Sequence, residues 1–388
     1  MTENNYIAKT LKGLEEVLAG ELIALGANNV EIQRRAVAFS GDLALLYKAN
    51  LHLRTALRIL MPVATFKAGK PDEIYDLVKT IQWDEILTCD DTFAIDSTVF
   101  SEEFTHSKFV TYKVKDAIVD WFREKYDKRP SVKTTNPQFT FNVHIAQNQV
   151  TISLDSSGES LHRRGYRQNQ TEAPISEVLA AGLLLMSGWN GQSDFLDPFC
   201  GSGTFLIEAA LIALNIPPGI YRSKFSFENW KNFDKELFDE IYQDDSCEKP
   251  FDFKIYGSDI SGYALKIAEE NVKSAGLSKY IKLEKKAAAD AIKPSETCLV
   301  VTNPPYGERL TTDDIFELYK SFGTALKHQF QGCSSWIISS DVKLLECIGL
   351  KPSAKFKVLN GALDCLFCRY DIFAGKRKEH LSGSAEIE

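Results

Sequence analysis

Two short stretches of this chain hold residue types that can do chemistry. Asp194-Phe195-Leu196-Asp197-Pro198-Phe199-Cys200-Gly201-Ser202-Gly203-Thr204 reads as a strand that stops at an acidic residue, turns through two glycines and enters a helix. Gly201 and Gly203 let the backbone approach a ligand without Cβ obstruction, and the helix starting near Thr204 directs free amide hydrogens at it. A dinucleotide fingerprint wants a third glycine near Leu206, and a phosphate loop wants Gly-Lys-Ser or Gly-Lys-Thr; the sequence has neither. An adenosine with a zwitterionic amino-acid tail fits better than a polyphosphate, because Asp197 repels phosphate and attracts an ammonium.

The second stretch, Asn303-Pro304-Pro305-Tyr306, follows about a hundred residues later. An exocyclic or amide nitrogen is a poor nucleophile, since its lone pair is delocalised into a π system. If the Asn303 side-chain oxygen and the Pro304 carbonyl accept its two hydrogens, the lone pair is held toward an electrophilic methyl group. Pro304 and Pro305 fix the backbone so that the acceptors are already aimed, and Tyr306 can stack on a base turned out of its helix. A plain Pro-Pro turn at a strand end is the bland alternative, and the glycine loop upstream weighs against it.

Elements must place these groups together. From about Ser160 strands alternate with helices, at Asp194 to Asp197, Lys254 to Asp259, Cys298 to Thr302 and Ser335 to Ser339, which implies a mostly parallel sheet with its ligand at the carboxyl ends of the strands. Asp259 ends one such strand, where a carboxylate can accept both ribose hydroxyls, and the long interval from the glycine loop is absorbed by an inserted excursion, Ile216 to Phe253. Asp290 can reach the adenine amino group or simply cap a turn. Upstream, a helix is expected over Leu11 to Leu25 between strands at Tyr6-Ile7-Ala8 and Ala36 to Phe39, followed by a helix from Leu43 to Asn50. A second module has a strand near Arg58 to Val63, a helix around Pro71 to Thr80, a strand at Thr92 to Ser97, an amphipathic helix with Val110, Val114, Ile118, Val119 and Phe122 inward, and a hairpin about Gln147-Asn148. The tail from Lys376 onward is polar and expected to fray.

With 388 residues, 44% hydrophobic and 25% charged, the chain can form two or three globular domains. No apolar run is long enough to span a bilayer, and the first residues lack a secretory pattern, so a cytoplasmic protein is expected. The eight cysteines are scattered, which favours reduced thiols. Cys365 and Cys368 have the spacing of half a zinc site, but lie in an apolar strand-like run with no second pair nearby; core packing is the better reading, and no metal is expected. A formal charge of −8 argues against indiscriminate nucleic-acid binding. The segment Lys108 to Lys133 nevertheless carries a local basic surplus, with Lys113 and Lys115 as candidates for phosphate contacts or a solvated face.

The order of motifs carries a family resemblance. Leu161-His162-Arg163-Arg164-Gly165-Tyr166-Arg167, Ala173-Pro174-Ile175-Ser176-Glu177, the Leu196 to Thr204 loop and Asn303-Pro304-Pro305-Tyr306-Gly307-Glu308-Arg309 follow one another as in the THUMP-domain RNA guanine-N2 methyltransferases. The match also takes in Lys113 to Asp120 and Asn360 to Cys365, and is most similar to the bacterial enzymes that methylate a guanine of 23S ribosomal RNA. The resemblance implies an α/β fold, in which a class I (Rossmann-like) methyltransferase domain at 159–388 is preceded by a ferredoxin-like α+β module at 1–57 and a THUMP RNA-binding domain at 58–158. It implies S-adenosylmethionine as cofactor. Pro174, Ile175 and Ser176 would line its site, Asp197, Pro198, Phe199, Cys200, Gly201, Ser202 and Gly203 hold the methionine portion, Asp259 the ribose, and Asn303, Pro304, Pro305 and Tyr306 the target base. Arg163, Arg164 and Arg167 can grip RNA or anchor a linker. The expected partner is RNA, 23S rRNA or a large-subunit precursor, with no membrane. Ending after one methyltransferase domain, the chain is expected to lack the second activity of the fused two-methyltransferase form. Rival readings are a transfer-RNA guanine methyltransferase, a DNA adenine-N6 methyltransferase, a protein glutamine methyltransferase and a non-catalytic assembly factor.

Overall fold

The computed structural model describes residues 3–104, 106–171, 174–306 and 312–373. Ala173, the Gly307-Glu308-Arg309 continuation of the second motif and the tail from Lys376 lie outside the described residues. The chain divides into two compact units. One comprises 1–10, 18–161 and 222–244, and the other 11–17, 162–221 and 245–388.

The first unit is built on an eight-stranded sheet. Its strands are β1 (Asn4–Lys9), β2 (Asn28–Gln33), β3 (Ala36–Gly41), β4 (Arg58–Lys67), β5 (Thr92–Phe100), β6 (Ser131–Val132), β7 (Phe139–Ala146) and β8 (Gln149–Asp155). They lie in the order β2-β3-β1-β4-β8-β7-β5-β6. The sequence reading separates two modules at residue 57, but β1 pairs antiparallel with β4, so one sheet runs through both. Four helices accompany the strands: α1 (Glu15–Ala24), α2 (Leu43–His52), α3 (Pro71–Lys79) and α4 (Ser107–Tyr126). The amphipathic stripe expected on α4 is buried, and Ala117 and Trp121 extend it. Helix α1 begins four residues later than its leucine spacing predicts. Gly13 has φ +93°, a left-handed conformation that interrupts a right-handed helix and delays its start to Glu15.

The second unit carries a seven-stranded sheet in the order β11-β10-β9-β12-β13-β15-β14. These strands are β9 (Asp194–Asp197), β10 (Ile255–Asp259), β11 (Ile281–Lys285), β12 (Cys298–Thr302), β13 (Ser334–Ser339), β14 (Ala354–Asn360) and β15 (Leu363–Asp371). Helices α5 (Glu177–Met186), α6 (Thr204–Ala213), α8 (Gly262–Ser274), α9 (Thr312–Gln329) and α10 (Val342–Cys347) belong to this unit, while α7 (Lys235–Gln243) lies within the part of the excursion grouped with the first. Strands β9 to β13 are parallel, and β15 enters antiparallel beside β13. The chain steps outward from β9 through β10 to β11, then returns to the other side of β9 with β12. That reversal opens a crevice at the carboxyl ends of β9, β10 and β12, where open α/β sheets take their ligands. The excursion leaves the sheet intact, because Ile255 of β10 still sits opposite Phe195 of β9.

Candidate active site

At the carboxyl ends of β9, β10 and β12 lies a cavity of about 640 Å³, a volume usual for a small-molecule site. Its floor is the glycine turn, where Pro198, Phe199, Cys200, Gly201 and Ser202 face the cavity. Gly203 stands behind them as the N-cap of α6 with φ +83°, a conformation that an L side chain adopts only with strain. Pro174 and Ile175 form another wall, and Ser176, outside the lining, caps α5 by accepting a hydrogen bond from the Leu179 amide at 3.2 Å. Burial pushes the Cys200 thiol well above its ordinary pKa, so it packs as a neutral group.

The two strand-ending acids have different surroundings. Asp259 lines the cavity; its Oδ2 accepts the Gly201 amide at 3.0 Å and its Oδ1 the Ser261 amide at 2.8 Å. Each carboxylate oxygen keeps further acceptor capacity for a hydroxyl. Asp197 is 1% exposed and sits outside the lining. Its Oδ1 accepts from the Thr302 hydroxyl at 2.6 Å and the Phe199 amide at 3.1 Å, tying β9 to β12. Burial, opposed by those bonds and reinforced by the nearby Asp259 charge, raises its pKa to about 7. Asp290 is exposed at the end of a 3-10 turn, Ala288–Asp290, and the cavity wall there is Ala287 and Ala288. Of the two readings open for Asp290, the structure places it in the turn and away from the cavity.

Asn303 and Pro305 line the opposite wall, beyond the end of β12. The Asn303 Oδ1 is buried with no hydrogen-bond partner. An unpaired buried acceptor costs free energy, and this one belongs to a residue of the cavity wall. Tyr306 is partly buried against the core and outside the lining; its hydroxyl accepts from the Asn360 side-chain amide at 2.7 Å. Pro304, between two lining residues, is itself outside the lining.

The arginine motif turns inward at two of its three positions. Arg164 is 2% exposed and pairs with Glu208 of α6, whose carboxylate also accepts from the Tyr166 hydroxyl at 2.9 Å. Arg167 pairs with Glu177 at 2.7 Å and donates to the Thr204 hydroxyl at 2.9 Å, the Ser202 hydroxyl at 3.3 Å and the Ile175 carbonyl at 3.3 Å. It thus joins the Pro174-Ile175 wall to the glycine turn. A role for Arg164 and Arg167 in gripping RNA is corrected to one in bracing the site, since their donors are spent on buried partners; Arg163 is exposed. In the first unit, Lys113 pairs with Asp72 and Lys115 with Asp116 on or beside α4. Each ammonium also lies over an exposed ring, Lys113 at 5.4 Å from Phe109 and Lys115 at 5.7 Å from Tyr112.

Some lining residues escaped the sequence reading. Ile260 and Tyr263, 72% and 73% exposed, stand at the cavity next to Asp259. An apolar residue directly after a strand-ending acid is a signal that could have found Ile260. Asp314 and Leu318 line the cavity from α9, and their i, i+4 spacing just after the second motif marks one helix face. The Cys365 and Cys368 pair is buried in β15, where positions three apart point to opposite faces of the sheet. They therefore cannot ligate one ion from this strand. Among the described residues no group of three or more His, Cys, Asp or Glu could hold a metal.

Comparison with known proteins agrees with this geometry. Residues 164–369 match the model described as RMKL-like, methyltransferase domain, residues 69–155 match the THUMP domain, and residues 5–60 match the RlmL ferredoxin-like domain. The chain is 39% identical to the "Putative RNA methyltransferase slr0064" of Synechocystis, over 96% of this chain and 98% of that protein. It is 38% identical to the "Ribosomal RNA large subunit methyltransferase K/L" of Syntrophotalea carbinolica, over 95% of this chain and 53% of that one, so it spans about half the length of that relative. The crystal structure of SMU.472, described as "a putative methyltransferase complexed with SAH", superposes with a TM-score of 0.86 at 30% identity, covering 97% of this chain and all of that one. With its THUMP and RlmL ferredoxin-like segments in order before the catalytic unit, the chain belongs to the RMKL-like methyltransferase family.

Proposed function

We propose that this protein methylates the exocyclic N2 of a guanine in RNA, specifically large-subunit (23S) ribosomal RNA, with S-adenosylmethionine as methyl donor. The observation that carries the reading is Asn303, whose Oδ1 is buried without a hydrogen-bond partner, on the wall of a cavity also lined by the glycine turn and Asp259. When bound, S-adenosylmethionine supplies a methyl group on a sulfonium sulfur, which a nitrogen takes up as the S–C bond breaks and an amino proton is released. Asp259 would hold the ribose, Ile260 and Tyr263 would cover the adenine, and Asp197 would attract the ammonium of the tail. Asn303 Oδ1 accepts one amino hydrogen of the base, the Pro304 carbonyl the other, and the nitrogen lone pair is left facing the donor. Arg167 keeps both walls in register before substrate arrives. Tyr306 supplies a face for the turned-out base.

RNA as the substrate is supported by the THUMP match and by the names of the relatives. The exposed Phe109 and Tyr112, each beside a lysine, form a surface suited to stacked bases and phosphates. We divide the chain into a ferredoxin-like module at 1–57, a THUMP domain at 58–158 and a catalytic domain at 159–388, and place it in the cytoplasm; no described helix is long and apolar enough to cross a membrane. The test is mass-spectrometric mapping of modified guanosines in 23S and transfer RNA from cells with and without this gene, followed by restoration with purified protein. Loss and restoration of one N2-methylguanosine in 23S RNA is the expected result. Loss in transfer RNA alone would change the substrate, and loss of DNA N6-methyladenine would overturn the proposal.

A further inference from the structure

We infer that Asn360 is a positioning residue for the target base, acting through Tyr306. The inference rests on the methyl-transfer reading above and adds a residue from an element that otherwise has no part in it. Strand β14 ends at Asn360, which faces Leu363 across a tight turn with Gly361 at φ +61°. From that turn the Asn360 amide donates to the Tyr306 hydroxyl at 2.7 Å, across 54 residues of sequence. The Cys365 sulfur, on β15 of the same hairpin, lies 4.0 Å from the same hydroxyl. The ring itself packs against the core cluster that includes Tyr319 and Phe322 of α9.

A tyrosine hydroxyl lies at the far end of the ring axis. Holding it there fixes where the axis points, while the packing of the ring against the core cluster fixes its turn about that axis. Stacking depends on that direction, and a ring free to sample other rotamers must be ordered again each time a base arrives. Asn303, three residues earlier, grips the amino group itself. The Asn360 contact therefore sets the direction of the ring axis relative to the grip, and with it where the ring stands when a base arrives. A neutral hydrogen bond of this kind corresponds to about a five- to tenfold effect.

The contact and its use are read separately. Protein labelled with 3-fluorotyrosine gives a Tyr306 19F resonance, assigned by its loss in Tyr306→Phe; Asn360→Ala should shift and broaden it while leaving S-adenosylhomocysteine affinity unchanged. Initial rates at limiting total RNA from cells lacking the gene, with S-adenosylmethionine, should then fall about five- to tenfold in Asn360→Ala and in Tyr306→Phe, with no further loss in the double variant. An unmoved resonance, an unchanged rate in Asn360→Ala, or losses that multiply in the double variant would each overturn the inference. If the parent protein transfers no methyl group to RNA, the functional reading fails and the catalytic use of the contact with it. An Asn360-dependent resonance would in that case still establish that the hairpin holds the ring.

Discussion

Asn303 concentrates the chemistry of the site in one atom. Its Oδ1 lies buried without a hydrogen-bond partner, and in the proposed reaction a substrate amino group would supply one. Asn303→Ala should therefore bind S-adenosylhomocysteine normally by calorimetry yet lose methyl transfer by about a hundredfold or more in single-turnover assays. Near-parental turnover would end the proposed grip. Asp197 makes a pH prediction. Burial first, then the Asp259 charge, raises its pKa to about 7, above that of an aspartate in an unfolded chain. Its contribution to stability is thus present at low pH and is lost as pH rises through about 7. The ionised form is the one that attracts an ammonium, so affinity for S-adenosylhomocysteine should climb over the same window. Titrations in Asp197→Asn should lack that climb; an equal climb in the variant would assign it to another group.

Elements decide whether these residues meet. Gly203 caps α6 with φ +83°, and a Cβ there would also approach the Ala268 Cβ at 3.3 Å, so Gly203→Ala should cost about 1–2 kcal/mol in urea unfolding and weaken cofactor binding. Arg167→Ala leaves the Glu177 carboxylate buried beside an empty place. Loss of about 3 kcal/mol is expected, with S-adenosylhomocysteine recovering part of it, and an unchanged urea midpoint would show that the brace is dispensable. The elements also show what was legible from sequence. Strands β9, β10, β12 and β13 announce themselves because they alternate with helical runs and carry buried apolar residues at their centres, such as Phe195-Leu196, Leu299-Val300-Val301 and Trp336-Ile337-Ile338. The strands not foreseen are β2, β6, β11 and β14, and each is an outer strand of its sheet. Ile281-Lys282-Leu283-Glu284-Lys285 and Ala354-Lys355-Phe356-Lys357 show why: outer strands carry the charges that discourage further pairing, and those charges dilute the apolar signal. In the site, the glycine turn, Asp259 and Asn303 were readable because motif spacing reports backbone geometry. The inward turn of Arg164 and Arg167 was not, because a guanidinium looks the same in sequence whether it meets a phosphate or a buried carboxylate.

At the scale of the molecule, neither unit is a continuous piece of chain. The second includes residues 11–17, where Leu14 is fully buried and a Cβ on Gly182 of α5 would lie 2.6 Å from its methyls. Leu14→Ala should cost about 2–5 kcal/mol and lower the midpoint of S-adenosylhomocysteine-linked unfolding, although the residue is remote in sequence from every motif. A chain begun at residue 162 should likewise unfold at lower urea than the parent; equal stability would show that the early segment adds nothing.

This arrangement also dictates a timetable for a ribosome making the protein. Leu14 leaves the exit tunnel long before Gly182, its neighbour in the folded state, has been added to the chain. The first unit waits in the same way for residues 222–244. Domains that fold one after another as they emerge are not available to this chain. Early apolar residues must stay uncommitted until the later motifs exist, and that interval is when the nascent protein has most need of a chaperone.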